Sequence, residues 1–204
     1  MANIKLAIVE LHKAFNQFNE CLFNNNIPEP AILIQNQGNR KNILGWCTQK
    51  EIWNDEEEQK NKYEINICAE YLNRNVDEIL ETLLHEMVHL NNIVQGIKDT
   101  SRSGSYHNKN YKEQAEKYGL EVEFDNKSGW CITSLQDKTK QLISEFGIDN
   151  NAFRMVRQFE QRSGGEKNSS IRKYVCTECE VSVKATKEVN IVCGDCEVKM
   201  LCCS

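Results

Sequence analysis

Residues 75–96 read NVDEILETLLHEMVHLNNIVQG, and the apolar residues of this run fall at helical spacing: Val76, Ile79, Leu80, Leu83, Leu84, Met87, Val88 and Leu90. Asn75 is a strong N-cap residue, and Glu78 three positions later completes a capping-box pattern. Gly96 supplies a C-terminal stop. The pattern predicts a long helix of the buried type. Inside it, His85-Glu86-Met87-Val88-His89 is an HExxH sequence. Residues four apart project from one helix face, so both imidazoles can reach a single ion. The Glu86 carboxylate, beside the first histidine, is then placed to act as general base on a water held there. On a capped, core-facing helix this spacing favours a zinc site over two ordinary polar histidines.

A catalytic zinc keeps three protein ligands and one open position, so a third ligand is needed. A histidine six residues beyond His89 would fall at position 95, which is Gln95. Candidates further on are His107, where a loop enters the next helix, and Glu113 or Glu116 on that helix. Gly104 lets the backbone of that loop approach closely. Tyr106 and Tyr111 are near enough in sequence to donate to a developing oxyanion, although packing a helix against a sheet is the commoner use of such residues.

The surrounding chain predicts a small α+β frame. Residues 4–23 form an amphipathic helix through Leu6, Val9, Leu11, Phe15, Phe18 and Leu22. Pro28 and Pro30 exclude its continuation. Segments 31–35, 44–53 and 63–69 have strand character, the last alternating as a half-buried strand, and predict an antiparallel or mixed sheet of about three strands. After a loop at 98–104, a helix over 109–118 and strands over 121–125 and 130–135 follow. Two helical patches, 138–146 and 151–161, then lead into QRSGGEKNSS, which has the composition of a flexible linker.

The C-terminal part carries a second constellation. Cys176-x-x-Cys179 and Cys193-x-x-Cys196 are separated by 13 residues, enough for a hairpin that brings the pairs together around one tetrahedral ion. Four thiolates leave no open position, so this zinc is structural. The segment has too few large apolar residues to fold without it. Cys202 and Cys203 lie past the second pair and read as spare thiols; Cys21, Cys47, Cys68 and Cys131 are isolated and read as small buried hydrophobes.

Composition bounds the rest. Of 204 residues, 40% are hydrophobic and 27% charged, the balance of a globular chain. A net charge of −5 argues against a surface coated for nucleic acid. The one basic stretch, 137–173, holds Arg154, Arg157, Arg162, Lys167, Arg172 and Lys173, and a solvated face is its simpler reading. No apolar run nears the ~20 residues of a membrane span, and Lys5 and Glu10 interrupt the first apolar stretch, so no signal peptide is expected. Paired cysteines without a secretory leader point to a cytoplasmic setting and no membrane partner.

The stretch LLHEMVHLNNIVQGIKDTSRSGSYHNKNYKEQAEKYGL resembles the core of the SprT-like zinc metalloproteases, in which an HExxH helix is followed, after a loop, by a histidine just before a helix. YVCTECEVSVKATKEVNIVCGDCEVKM resembles the zinc ribbon that often follows that core. The resemblance covers residues 4–125 and 171–201; residues 126–165 match nothing in the family pattern. It implies zinc on His85, His89 and His107, with Glu86 as base, and a structural zinc on Cys176, Cys179, Cys193 and Cys196, so two Zn2+ per chain. It implies a zincin-like core over 1–136, a helical connector and linker over 137–170 and a ribbon over 171–204. It further implies a metalloendopeptidase acting on protein or peptide. Eukaryotic, Spartan-type members cleave proteins crosslinked to DNA, which raises DNA as a partner here. The competing expectation is a non-catalytic, nucleic-acid- or polymerase-associated zinc-binding adaptor; a base at position 86 has no use in such a protein.

Overall fold

In chain order, helix α1 (Ile4–Phe23) is followed by strands β1 (Ala31–Gln35), β2 (Gly45–Cys47), β3 (Trp53–Asp55), β4 (Lys60–Lys62) and β5 (Glu64–Cys68). Then come α2 (Val76–Val94), β6 (Thr100–Ser101), β7 (Tyr106–His107), α3 (Lys109–Lys117), β8 (Leu120–Asp125), β9 (Gly129–Leu135) and α4 (Asp137–Glu145). The last strands are β10 (Arg172–Val175), β11 (Ser182–Ala185) and β12 (Leu201–Cys203). This computed structural model describes residues 3–38, 43–57, 59–158 and 171–203. The chain is a mixed α+β protein of two compact units, Met1–Phe159 and Glu160–Ser204.

α2 begins as the sequence predicts. Glu78 Oε2 accepts from the Asn75 N–H at 2.9 Å, and Asn75 Oδ1 accepts from Asp77 at 3.2 Å, so orphan donors at both sides of the cap are satisfied. Ile79, Leu80, Leu83, Leu84, Met87, Val88 and Leu90 are completely buried. They pack in one core with Ala7, Leu11, Ala14, Phe15, Phe18 and Phe23 of α1. Leu6 and Val9, expected on that stripe, are exposed instead, whereas Ala7 and Ala14 are buried.

The sheet has three strands in the order β1-β5-β2, with β1 parallel and β2 antiparallel to β5. β5 is not half-buried as its alternation suggests: all five residues are buried. Glu64 is covered because its carboxylate accepts from Trp53 Nε1 at 2.9 Å and from Asn66 Nδ2 at 3.0 Å. The 44–53 segment is two strands rather than one, since β3 turns away to pair with β4. The expected loop at 98–104 contains β6, and the histidine expected in a loop lies on β7.

A second sheet, ordered β6-β7-β9-β8, closes over α2 and α3. Of the stretch expected as a connector, the described part packs in the first unit: Ile143, Phe146, Ala152 and Phe153 join its core. The helix expected over 151–161 is a short 3-10 turn, Asn150–Arg154, followed by extended chain; 159–170, including the linker, lies outside the described residues. In the second unit β10 is central between β11 and β12. Tyr174, Cys176, Cys193 and Met200 are its small core. Among the described residues, no helix is long and apolar enough to cross a membrane.

Candidate active site and metal centres

His85 and His89 project from one face of α2, and β7 brings His107 to meet them. The three ring nitrogens lie within 4.8 Å of one another. His107 Nε2 is 3.0 Å from His89 Nε2 and 3.3 Å from His85 Nε2. Glu113 and Glu116 are not in this cluster: Glu113 is exposed and Glu116 pairs with Lys112 Nζ at 2.6 Å.

Each imidazole is positioned differently. His89 Nδ1 lies 2.7 Å from Asp99 Oδ2, which also accepts from Asn92 Nδ2 at 3.0 Å. His85 Nδ1 lies 3.4 Å from Thr133 Oγ1, whose hydroxyl donates to Glu81 at 2.7 Å. His107 is held through its backbone, its N–H donating to Ser128 O at 2.9 Å, while its Nδ1 is buried without a partner among the described residues. β7 meets β9 where Gly129 faces His107. A Cβ on Gly129 would stand 2.1 Å from the His107 carbonyl oxygen, and φ there is +77°, so only glycine permits the approach.

Tyr111 of α3 is fully buried, its ring centroid 4.6–4.8 Å from those of all three imidazoles. It packs against the cluster, and its hydroxyl has no partner among the described residues. The packing expectation holds for it; the usual bonded hydroxyl is missing.

The electrostatics favour a cation at this point. Burial, reinforced by His89 and His107, lowers His85 well below the ordinary imidazole value. Burial and then His89 bring His107 down to about 4. Burial works to raise the Asp99 carboxyl, but its hydrogen bonds to His89 and Asn92 outweigh that and hold it low. An ionised Asp99 at 2.7 Å makes His89 Nδ1 the donor, and His89 Nε2 faces His107 Nε2 at 3.0 Å. The donor set and its buried Nδ1 carboxylate partner suit a trihistidine metal site.

Glu86, beside His85, is 6% exposed and lies against β2. A Cβ on Gly45 would come within 3.3 Å of Glu86 Cγ and 2.8 Å of the Asn66 carbonyl oxygen, so the lack of a side chain there lets strand and helix meet. Burial pushes the Glu86 carboxyl up to about 7, against the pull of His89 and of the Cys47 backbone N–H.

Cys176, Cys179, Cys193 and Cys196 form the second group able to hold a metal. The two pairs sit in matching turns: Cys176 N–H donates to Val181 O and Glu180 N–H to Cys176 O, and Cys193 and Glu197 repeat this with Val198 and Cys193. Glu180 and Glu197 both take left-handed backbone, φ 59° and 58°. Backbone N–H groups of Cys179 and Glu178 draw Cys176 down to about 7, whereas the Cys179 hydrogen bond pushes Cys196 up to about 12. Cys202 and Cys203 are exposed on β12 and outside the group. Of the cysteines expected to be buried, Cys68 is, Cys47 and Cys131 are partly so, and Cys21 is exposed.

Sequence reasoning missed Asp99, Thr133, Glu81, Gly45 and Gly129.

A model of the SprT-like family matches residues 11–134, a span that contains Glu86 and all three clustered histidines and excludes the cysteine cluster. Comparison with curated proteins and with solved structures returns no match.

Proposed function

Because the chain belongs to the SprT-like family and gathers three imidazoles beside a buried carboxyl, we propose that it is a zinc metallopeptidase. The single observation that carries this reading is the convergence of His85, His89 and His107, with Glu86 as the next residue along the helix. Those three histidines would hold a catalytic zinc in a zincin-type core within residues 1–136. The four clustered cysteines would hold a structural zinc in a ribbon over 171–204. When bound, the catalytic zinc supplies a Lewis acid that lowers the pKa of a water and polarises a peptide carbonyl.

The chain's own groups then have defined tasks. Asp99 keeps the His89 proton on Nδ1. Glu86, raised toward neutrality by burial, accepts a proton on its carboxylate as water attacks the peptide carbon and returns it to the leaving amine. The substrate class that the family reading carries is protein or peptide. DNA-associated protein substrates rest only on the resemblance to Spartan-type members, and a net charge of −5 does not favour them.

The test is cleavage of an unfolded protein by the zinc-loaded full chain, with and without single-stranded DNA. Wild type should cleave; Glu86→Gln should keep both metals and lose at least ~100-fold in rate. Equal cleavage by the two proteins contradicts the mechanism. Two metals with no cleavage by either, with or without DNA, would favour the adaptor reading.

A further inference from the structure

Glu81, His85 and His89 follow one another at four-residue steps on α2, so they share one face. Thr133 of β9 reaches across to two of them. Its hydroxyl donates to Glu81 Oε1 at 2.7 Å, and the same oxygen is 3.4 Å from His85 Nδ1. A hydroxyl has one proton. With that proton committed to a carboxylate, the Thr133 oxygen offers His85 only lone pairs, so His85 Nδ1 must donate. In a neutral imidazole this leaves Nε2 unprotonated, facing His107 Nε2 3.3 Å away. Arg74 lies close enough to act on Glu81 electrostatically, and is itself tied to α2 by donating to Thr82 Oγ1 at 3.0 Å.

The three candidate ligands are thus held by three devices. Asp99 holds His89 directly, and backbone pairing holds His107. For His85 the geometry points to a relay: Glu81, acting through the Thr133 hydroxyl, is a positioning residue that fixes the ring orientation and tautomer of His85 for metal binding. The relay rests on the reading of the three histidines as a metal centre. It assigns Glu81 and Thr133 no contact with substrate. Their effect is on metal affinity, and an outer partner of a ligating histidine typically changes that affinity 10–100-fold.

The test uses the full chain and reads metal affinity instead of hydrolysis. Cobalt(II) reports on each site separately, because only the thiolate site gives sulfur-to-metal charge-transfer absorption. A competing chelator then ranks the histidine-site affinity. Thr133→Val removes the oxygen at nearly constant volume and should weaken the histidine site about 10–100-fold, with the thiolate site unchanged. Thr133→Ser keeps the oxygen and should restore affinity to near the wild-type value. Glu81→Ala, at a half-buried helix position, should weaken the same site in the same direction, and it decides alone if Thr133→Val does not fold. Wild-type affinity in Thr133→Val or in Glu81→Ala, or a serine variant as weak as the valine one, overturns the relay. A wild-type chain that takes up metal only at the cysteines overturns instead the reading beneath it.

Discussion

Glu86 has two opposed demands placed on it. A base must be able to ionise, yet this carboxyl is buried, and burial raises it from an ordinary 4.5 to about 7 in the metal-free chain. The folded form therefore holds its proton more tightly than the unfolded form. The stabilising contribution is complete below about pH 4.5 and is lost as pH rises through about 7. Glu86→Gln cannot ionise and escapes this loss. Urea unfolding of the metal-free proteins should show wild type losing about 3 kcal/mol relative to Glu86→Gln between pH 4.5 and 8. The contributions of His85 and His107 are common to both proteins. Parallel pH profiles would mean that Glu86 is not buried as described. The same scale explains why Asp99 escaped notice in the sequence: a single aspartate in a loop has no periodicity, and only the fold places it 2.7 Å from His89.

At the level of elements, what is local was legible. The limits of α2 follow from a cap, a stripe and a stop lying within one stretch of chain, and the structure keeps all three. The spacing of the motif histidines and of the cysteine pairs, which suits metal ligation, is equally local. What depends on pairing across the chain was not legible. β3 leaves the expected second strand because it pairs with β4, and β5 is covered on its polar positions because Trp53 reaches Glu64. His107 is positioned by a parallel pairing with Gly129, 22 residues further on. That pairing gives a contrast between two glycines. Gly96 and Gly129 have similar φ, +69° and +77°, but a Cβ on Gly96 meets nothing within 4 Å whereas one on Gly129 meets the His107 carbonyl at 2.1 Å. Gly96→Ala should cost about 1 kcal/mol, the left-handed backbone alone. Gly129→Ala should cost clearly more in thermal unfolding and should lose metal from the histidine site. Equal, small effects of both substitutions would contradict the β7–β9 contact.

The whole molecule divides its chemistry between two units. The first carries a large apolar core and a histidine centre with a carboxyl beside it; among the described residues of the second, the buried core is Tyr174, two cysteines and Met200, a small core that a metal on the four thiols would support. The family match covers the first unit's site and stops before the second, so the two metals have to be established separately. Metal content per chain does this most directly. The purified 204-residue chain, with His107→Ala and Cys176→Ser variants beside it, should contain two zinc ions in the wild type and one in each variant. Cobalt substitution should retain thiolate absorption in His107→Ala and lose it in Cys176→Ser. Two zinc ions retained in His107→Ala, or a wild type whose only zinc disappears with Cys176→Ser, would contradict a trihistidine metal centre and the peptidase built on it.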